Sequence, residues 1–125
     1  MQNPVNWFEI YVDDLDRAKA FYETVFDVEL QSLNDPTDAG VNMWLFPFDP
    51  QAGGSSGAIL SAPGMPAGGN STVVYFSCED CAVEEARINA AGGELKTSKM
   101  SIGDHGFVAH GLDTEGNMIG LHSMK

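Results

Sequence analysis

The sequence predicts an α+β domain assembled from two copies of a βαβββ unit, and three observations predict it. Over residues 5–26 a short apolar strand breaks at the paired aspartates Asp13 and Asp14 and runs straight into a helical pattern. The same grammar returns over residues 72–93, with Asp80 in the place of Asp14 at an offset of 66 residues. Each copy is then followed by three short strand-like runs, which completes the unit.

The first strand shows the alternation of a half-buried strand. Phe8, Ile10 and Val12 fall on one face, and Trp7, Glu9 and Tyr11 on the other. Asp14 is placed to cap the following helix, with Asp16 in its first turn, where a carboxylate complements unpaired backbone amides. Leu15, Ala18, Phe21, Tyr22, Val25 and Phe26 recur at helical spacing, so the helix is expected to lie on the apolar face of the strand. Strands are expected over residues 28–33, 41–48 and 57–61, separated by turn-rich stretches. Residues 1–62 thus form the first module. Residues 63–70, rich in Pro and Gly and free of charge, form a linker, and residues 71–125 form the second module of one domain.

In the second module a strand over residues 72–78 leads through the Asp80 cap to a helix ending at Ala91. Gly92 and Gly93 then stop it, with Asp27 standing where Gly93 does in the first copy. Strands over residues 94–98, 107–112 and 118–123 follow, the last two joined by a tight turn at residues 113–117.

Composition bounds the partners. A chain of 125 residues with 43% hydrophobic and 19% charged residues has enough apolar surface for one core. Eighteen acids against six bases, a formal net charge of −12, argue against a nucleic-acid backbone or an anionic membrane as partner. The first residues lack the basic start and apolar run of a secretory signal, so the expected compartment is the cytoplasm. Cys78 and Cys81 form a C-x-x-C at a strand-to-helix junction, but they align with Val12 and Leu15 of the first copy and read as apolar packing positions rather than a redox pair.

Three stretches carry a resemblance to the vicinal oxygen chelate superfamily, which includes glyoxalase I, bleomycin resistance proteins and extradiol dioxygenases. They are residues 11–26, the Ala91-Gly92-Gly93 helix stop, and residues 113–121. The resemblance spans nearly the whole chain, and the opening Trp7-Phe8-Glu9 is similar to small glyoxalase-related members. It implies two βαβββ modules wrapping a U-shaped cleft, the glyoxalase/bleomycin resistance/dihydroxybiphenyl dioxygenase-like fold, paired as a homodimer. It also implies four columns that hold a divalent metal in the best-known members. Carried over, those columns hold Trp7, Leu60 or a close neighbour, Val73 and Gly120, none of them an oxygen or imidazole ligand. No cofactor is therefore expected there, and glyoxalase I chemistry is not supported.

The remaining candidates come from alternation. Trp7, Glu9 and Tyr11 on the first strand, Tyr75 and Ser77 in the second copy, and Met118 and His122 on the last strand point toward the presumed cleft. Trp44, Phe46 and Phe48 share one face of another strand, as an aromatic wall or as core packing, and Trp44 is taken with the ligand-binding group. Glu9, flanked by Trp7 and Tyr11, is expected to be desolvated and suited to proton transfer, or else paired with His122 or Arg17. Glu9 and His122 are the candidate catalytic residues, as an acid/base pair or as two ligands of a displaced metal. The alternation leaves open which way His110 faces. The expected function is binding or sequestering a small organic molecule, with bleomycin-type resistance as family precedent. The alternatives are a lyase, isomerase or dioxygenase-like enzyme using Glu9 and His122, or a module that works only within a larger complex.

Overall fold

The computed structural model describes residues 3–33 and 41–125, and within them each module is a four-stranded mixed sheet with one helix. The first contains β1 (Trp7–Tyr11), α1 (Leu15–Phe26), β2 (Gln31–Leu33), β3 (Asn42–Leu45) and β4 (Ser56–Ser61). The second contains β5 (Gly69–Ser77), α2 (Cys81–Ile88), β6 (Glu94–Ser101), β7 (Phe107–Leu112) and β8 (Asn117–Ser123), with a 3-10 turn at Gly103–His105. Strand order is β1-β4-β3-β2 in one sheet and β5-β8-β7-β6 in the other, so the duplication extends to topology. In each sheet the first strand pairs in parallel with the last: Ile10 opposes Ile59, and Phe76, the counterpart of Ile10, opposes Leu121.

Both helices start as expected. The Asp14 carboxylate accepts from the Arg17 amide at 3.1 Å, and the Asp80 carboxylate from the Ala82 amide at 3.0 Å, which satisfies amides with no partner inside the helix. The ends differ from expectation by one residue. Asp27 takes the left-handed conformation (φ 51°) and the next amide, Val28, bonds back to the Glu23 carbonyl at 3.3 Å. In α2 the left-handed residue is Gly92 (φ 99°), followed by the Gly93 amide on the Ile88 carbonyl at 3.0 Å. Asp27 therefore corresponds to Gly92, not Gly93, and the offset of 66 holds at the caps but slips at the stops. Gly93 is needed for a different reason, since a Cβ there would sit 2.3 Å from the Leu112 carbonyl oxygen and 2.5 Å from the Phe21 ring. The regular part of α2 ends at Ile88 rather than Ala91, although the Ala91 amide still reaches the Arg87 carbonyl at 2.9 Å.

Two first-module strands are shorter than expected, and the stretch expected to be a linker is partly strand, because β5 begins at Gly69. Its preceding residues are tied to both modules: the Ala67 amide donates to Asp13 Oδ1 at 3.2 Å and the Gly68 amide to Asn117 Oδ1 at 2.7 Å. The turn-rich stretch at residues 34–40 lies outside the described residues.

The core joins the modules on the helix side of the sheets. Ile10, Val12, Phe21, Tyr22 and Val25 of the first module pack in one cluster with Cys81, Ile88, Ile119 and Leu121 of the second. Phe8 meets Phe76 at 5.7 Å between ring centroids, and Phe26 stacks on Phe76 at 4.4 Å. Polar braces reinforce this union. Tyr22 donates to Asp113 Oδ2 at 2.6 Å, and Arg17 grips Glu115 through Nε and a second guanidinium nitrogen at 2.7 and 2.9 Å. Arg17 is thereby committed to Glu115 and is not the partner of Glu9.

Candidate functional site

Register decides which side chains share a face. The parallel β1–β4 pairing sets Trp7, Glu9 and Tyr11 beside Ser56, Ala58 and Leu60, with Phe8 and Ile10 turned to the core. Glu9 is exposed, so the desolvation expected of it is absent. Its neighbours instead hold it in place: Trp7 Nε1–H donates to Oε2 and the Tyr11 hydroxyl to Oε1, each at 3.3 Å. Burial, the Glu9 charge and this hydrogen bond together push the Tyr11 hydroxyl up from its ordinary value, so it remains a donor at neutral pH.

Beside this carboxylate lies a cavity of about 280 Å³ between β1 and β5. Glu9, Tyr11 and Met118 line it, which brings together three of the expected site residues; Ser71, Thr72 and Asn117 add polar groups that sequence reasoning missed. Ser71 and Thr72 sit at the junction of linker and strand, where alternation has barely begun and gives no facing. Asn117 read only as a turn residue. Its side chain in fact bridges the modules, donating to the Tyr11 carbonyl at 3.1 Å and to Asp113 at 3.0 Å.

The other candidates lie elsewhere. His122 is half-buried with Nε2 at 2.7 Å from the His105 carbonyl oxygen, and it does not line the cavity that Glu9 lines. Ser77, its register partner on β5, is exposed at the same end of the sheet. Tyr75 lies across its own sheet: it opposes Gly120, which opposes His110, and the Tyr75 hydroxyl meets His110 Nε2 at 2.6 Å. The orientation of His110 is thereby settled. A Cβ on Gly120 would lie 2.4 Å from the Tyr75 ring, so the ring takes the place that a side chain at 120 would fill. Trp44 belongs to the opposite face. It opposes Ile59, packs against the core, and carries Lys19 Nζ at 4.6 Å over its ring, because the β3 register sends Trp44 and Phe46 to the helix side. Trp7 is partly exposed, and it braces Glu9 without lining the cavity.

Residues 5–121 match the family model of the Glyoxalase/Bleomycin resistance protein/Dioxygenase superfamily. The chain belongs to this superfamily. Its fold is similar to glyoxalase I from Zea mays (TM-score 0.74, 18% identity), covering 97% of this chain but 46% of the maize chain, so it spans about half of that enzyme's length. It is also similar over nearly full length to a glyoxalase/bleomycin resistance protein from Albidiferax ferrireducens (TM-score 0.67, 20% identity, 95% of this chain and 98% of that one). A third relative is a mutant of the fosfomycin resistance protein of Listeria monocytogenes, solved with Mn(II) and 1S,2S-dihydroxypropylphosphonic acid (TM-score 0.67, 21% identity, 98% and 94% covered). No curated protein sequence matches the chain.

The superfamily's metal columns carry no oxygen or imidazole ligand in this chain. Trp7 offers an indole committed to Glu9, Leu60 is buried hydrocarbon, Val73 is hydrocarbon, and Gly120 lies beneath the Tyr75 ring. These four residues do not fit a divalent ion. Among the described residues no group of three or more His, Cys, Asp or Glu side chains is arranged to hold one.

Proposed function

We propose that this superfamily member binds a small organic molecule in the cavity between β1 and β5 without a metal at the family's columns. The observation that carries the reading is the Glu9 carboxylate, braced on both sides by Trp7 and Tyr11 at the wall of a cavity whose other side supplies Met118, Ser71 and Thr72. A fixed carboxylate among hydroxyls and the apolar side chains of Met118 and Val74 favours a small molecule with a hydroxyl or amine handle on an apolar or aromatic body. The hydrogen bonds also place Trp7 to report occupancy through its fluorescence. A homodimer, on the family's habit, and a cytoplasmic setting belong to the same proposal.

Mass spectrometry of the protein purified under native conditions, followed by titration of any co-purified compound, tests the reading. Binding that quenches Trp7 and weakens about 10-fold in Glu9→Gln supports it. Stoichiometric zinc, nickel, manganese or iron in protein prepared without added metal or chelator would overturn the metal-free part. Turnover that dies in Glu9→Gln while affinity is unchanged would replace binding with catalysis. A group on Glu9 and His122 acting together is less well supported, because His122 is engaged by the His105 carbonyl outside the cavity.

A further inference from the structure

A second cavity, of about 270 Å³, opens on the helix side of the sheets, away from Glu9. Phe8, Phe26, Phe46 and Phe76 form much of its wall, with Ser77 and Glu84 at its polar edge. The four rings belong to one packed cluster, Phe8 against Phe46, Phe46 against Phe76 and Phe76 against Phe26. Glu84 Oε1 is buried and meets no hydrogen-bond partner among the described residues. A carboxylate oxygen removed from water with no donor is destabilising, and such a group in a folded protein calls for an occupant. The cavity's own hydroxyls do not all serve it, since Ser56 Oγ already donates to the Phe46 and Pro47 carbonyls at 3.3 and 3.0 Å. None of the residues lining the cavity is Lys, Arg or His. Among the described residues no Lys, Arg or His forms an ion pair with Glu84.

We propose that this cavity is a binding site for a small organic ammonium, with the aromatic wall taking its apolar body and the Glu84 carboxylate its charged N–H. Three features favour this occupant over a neutral one. The orphaned acceptor is an acid, aromatic rings attract cations, and a chain with net charge −12 concentrates cations near its surface. A lone water is a poorer match, because an ordered water needs two to four polar partners and much of this wall is hydrocarbon. The Cys78 thiol beside Glu84 is a neutral, weak donor and supplies no counter-charge. Burial first, then the charge of Glu84 and a hydrogen bond with it, push the thiol up to about 12. The site is independent of the β1–β5 cavity, and neither stands or falls with the other.

The test compares 2-phenylethylammonium with 2-phenylethanol, which has the same body and no charge, on the full chain by NMR titration. The expected result is tighter binding of the ammonium by at least about 10-fold, with shifts at the Phe8, Phe26, Phe46 and Phe76 ring resonances. That preference should vanish in Glu84→Gln and persist in Glu9→Gln. Equal affinity for the two probes in the wild type would overturn the proposal without any variant. So would ring resonances that stay unmoved at millimolar probe, a preference lost in Glu9→Gln instead, or a crystal soaked with the ammonium that shows only water on Oε1.

Discussion

The Tyr22 hydroxyl, on a helix of the first module, donates to Asp113 Oδ2 of the second at 2.6 Å, with both residues buried. Asp113 also organises the turn before β8, accepting the Glu115 and Asn117 amides on Oδ1 at 2.8 and 2.9 Å. One carboxylate thus couples a turn to a helix from the other module. Burial, followed by the Asp113 charge and hydrogen bond, pushes the Tyr22 hydroxyl well above its ordinary value, so it stays a donor at neutral pH. Tyr22→Phe is expected to destabilise by roughly 1–3 kcal/mol, and Asp113→Ala by more, because it also strands the turn amides. Urea midpoints at unchanged m-value would verify that order, and the reverse order would refute the account.

Glu115 predicts the acid limit of stability. Burial disfavours its charge, but hydrogen bonds from Arg17, the Asp14 amide and Thr114, with the Arg17 charge, outweigh burial and hold its carboxyl at about 2. A folded-state value below the unfolded one means stability that is fully present above about 4.5 and is lost as pH falls toward 2. Asp80 and Glu23 are also held low, Asp80 chiefly by its Lys99 hydrogen bond and Glu23 chiefly by the Leu30 amide, and both act in the same direction. Glu115→Gln should flatten the fall in melting temperature between pH 5 and pH 3 relative to wild type, on the order of 1 kcal/mol of differential stability. Parallel curves for the two proteins would count against this.

The Tyr75 ring over Gly120 predicts non-additivity. Gly120→Ala must push the exposed ring aside and break its contact with His110, destabilising by roughly 1–2 kcal/mol. In a Tyr75→Ala background the same change should be nearly neutral. A double-mutant cycle with coupling below about 0.5 kcal/mol would show that the ring does not occupy that space.

The cysteines should be inert in the folded protein. Cys81 is fully buried, and Cys78, with its thiol raised to about 12, carries little thiolate at neutral pH. Alkylation by iodoacetamide at pH 8 is expected to be at least about 10-fold slower than in urea. Rapid modification of the native protein would contradict the packing role read from their alignment with Val12 and Leu15.

Much of the fold was legible because it rests on local signals: period-two alternation in β1, two aspartate caps, and helix stops that need a left-handed residue. β7 was read to the residue. What escaped depends on relations between strands. Alternation says that Trp44 and Phe46 share a face but not which one, and only the opposition of Trp44 to Ile59, itself opposite Ile10, turns them toward the helices. Likewise the facing of Glu9 was readable, but its exposure was not, because that depends on how closely β5 approaches. Glu84 sent no signal at all, since an acidic residue on a helix surface looks like any other until the rings of four distant segments converge beside it.

The Tyr75–Gly120 arrangement also limits how this scaffold can be re-engineered. Planting a carboxylate at position 120 does not by itself supply a ligand at the superfamily's fourth metal column, because the aromatic neighbour must be cut back first. A designer, or a mutating lineage, would therefore meet an ordered path in which residue 75 shrinks before residue 120 grows, and the opposite sequence of steps passes through a strained intermediate.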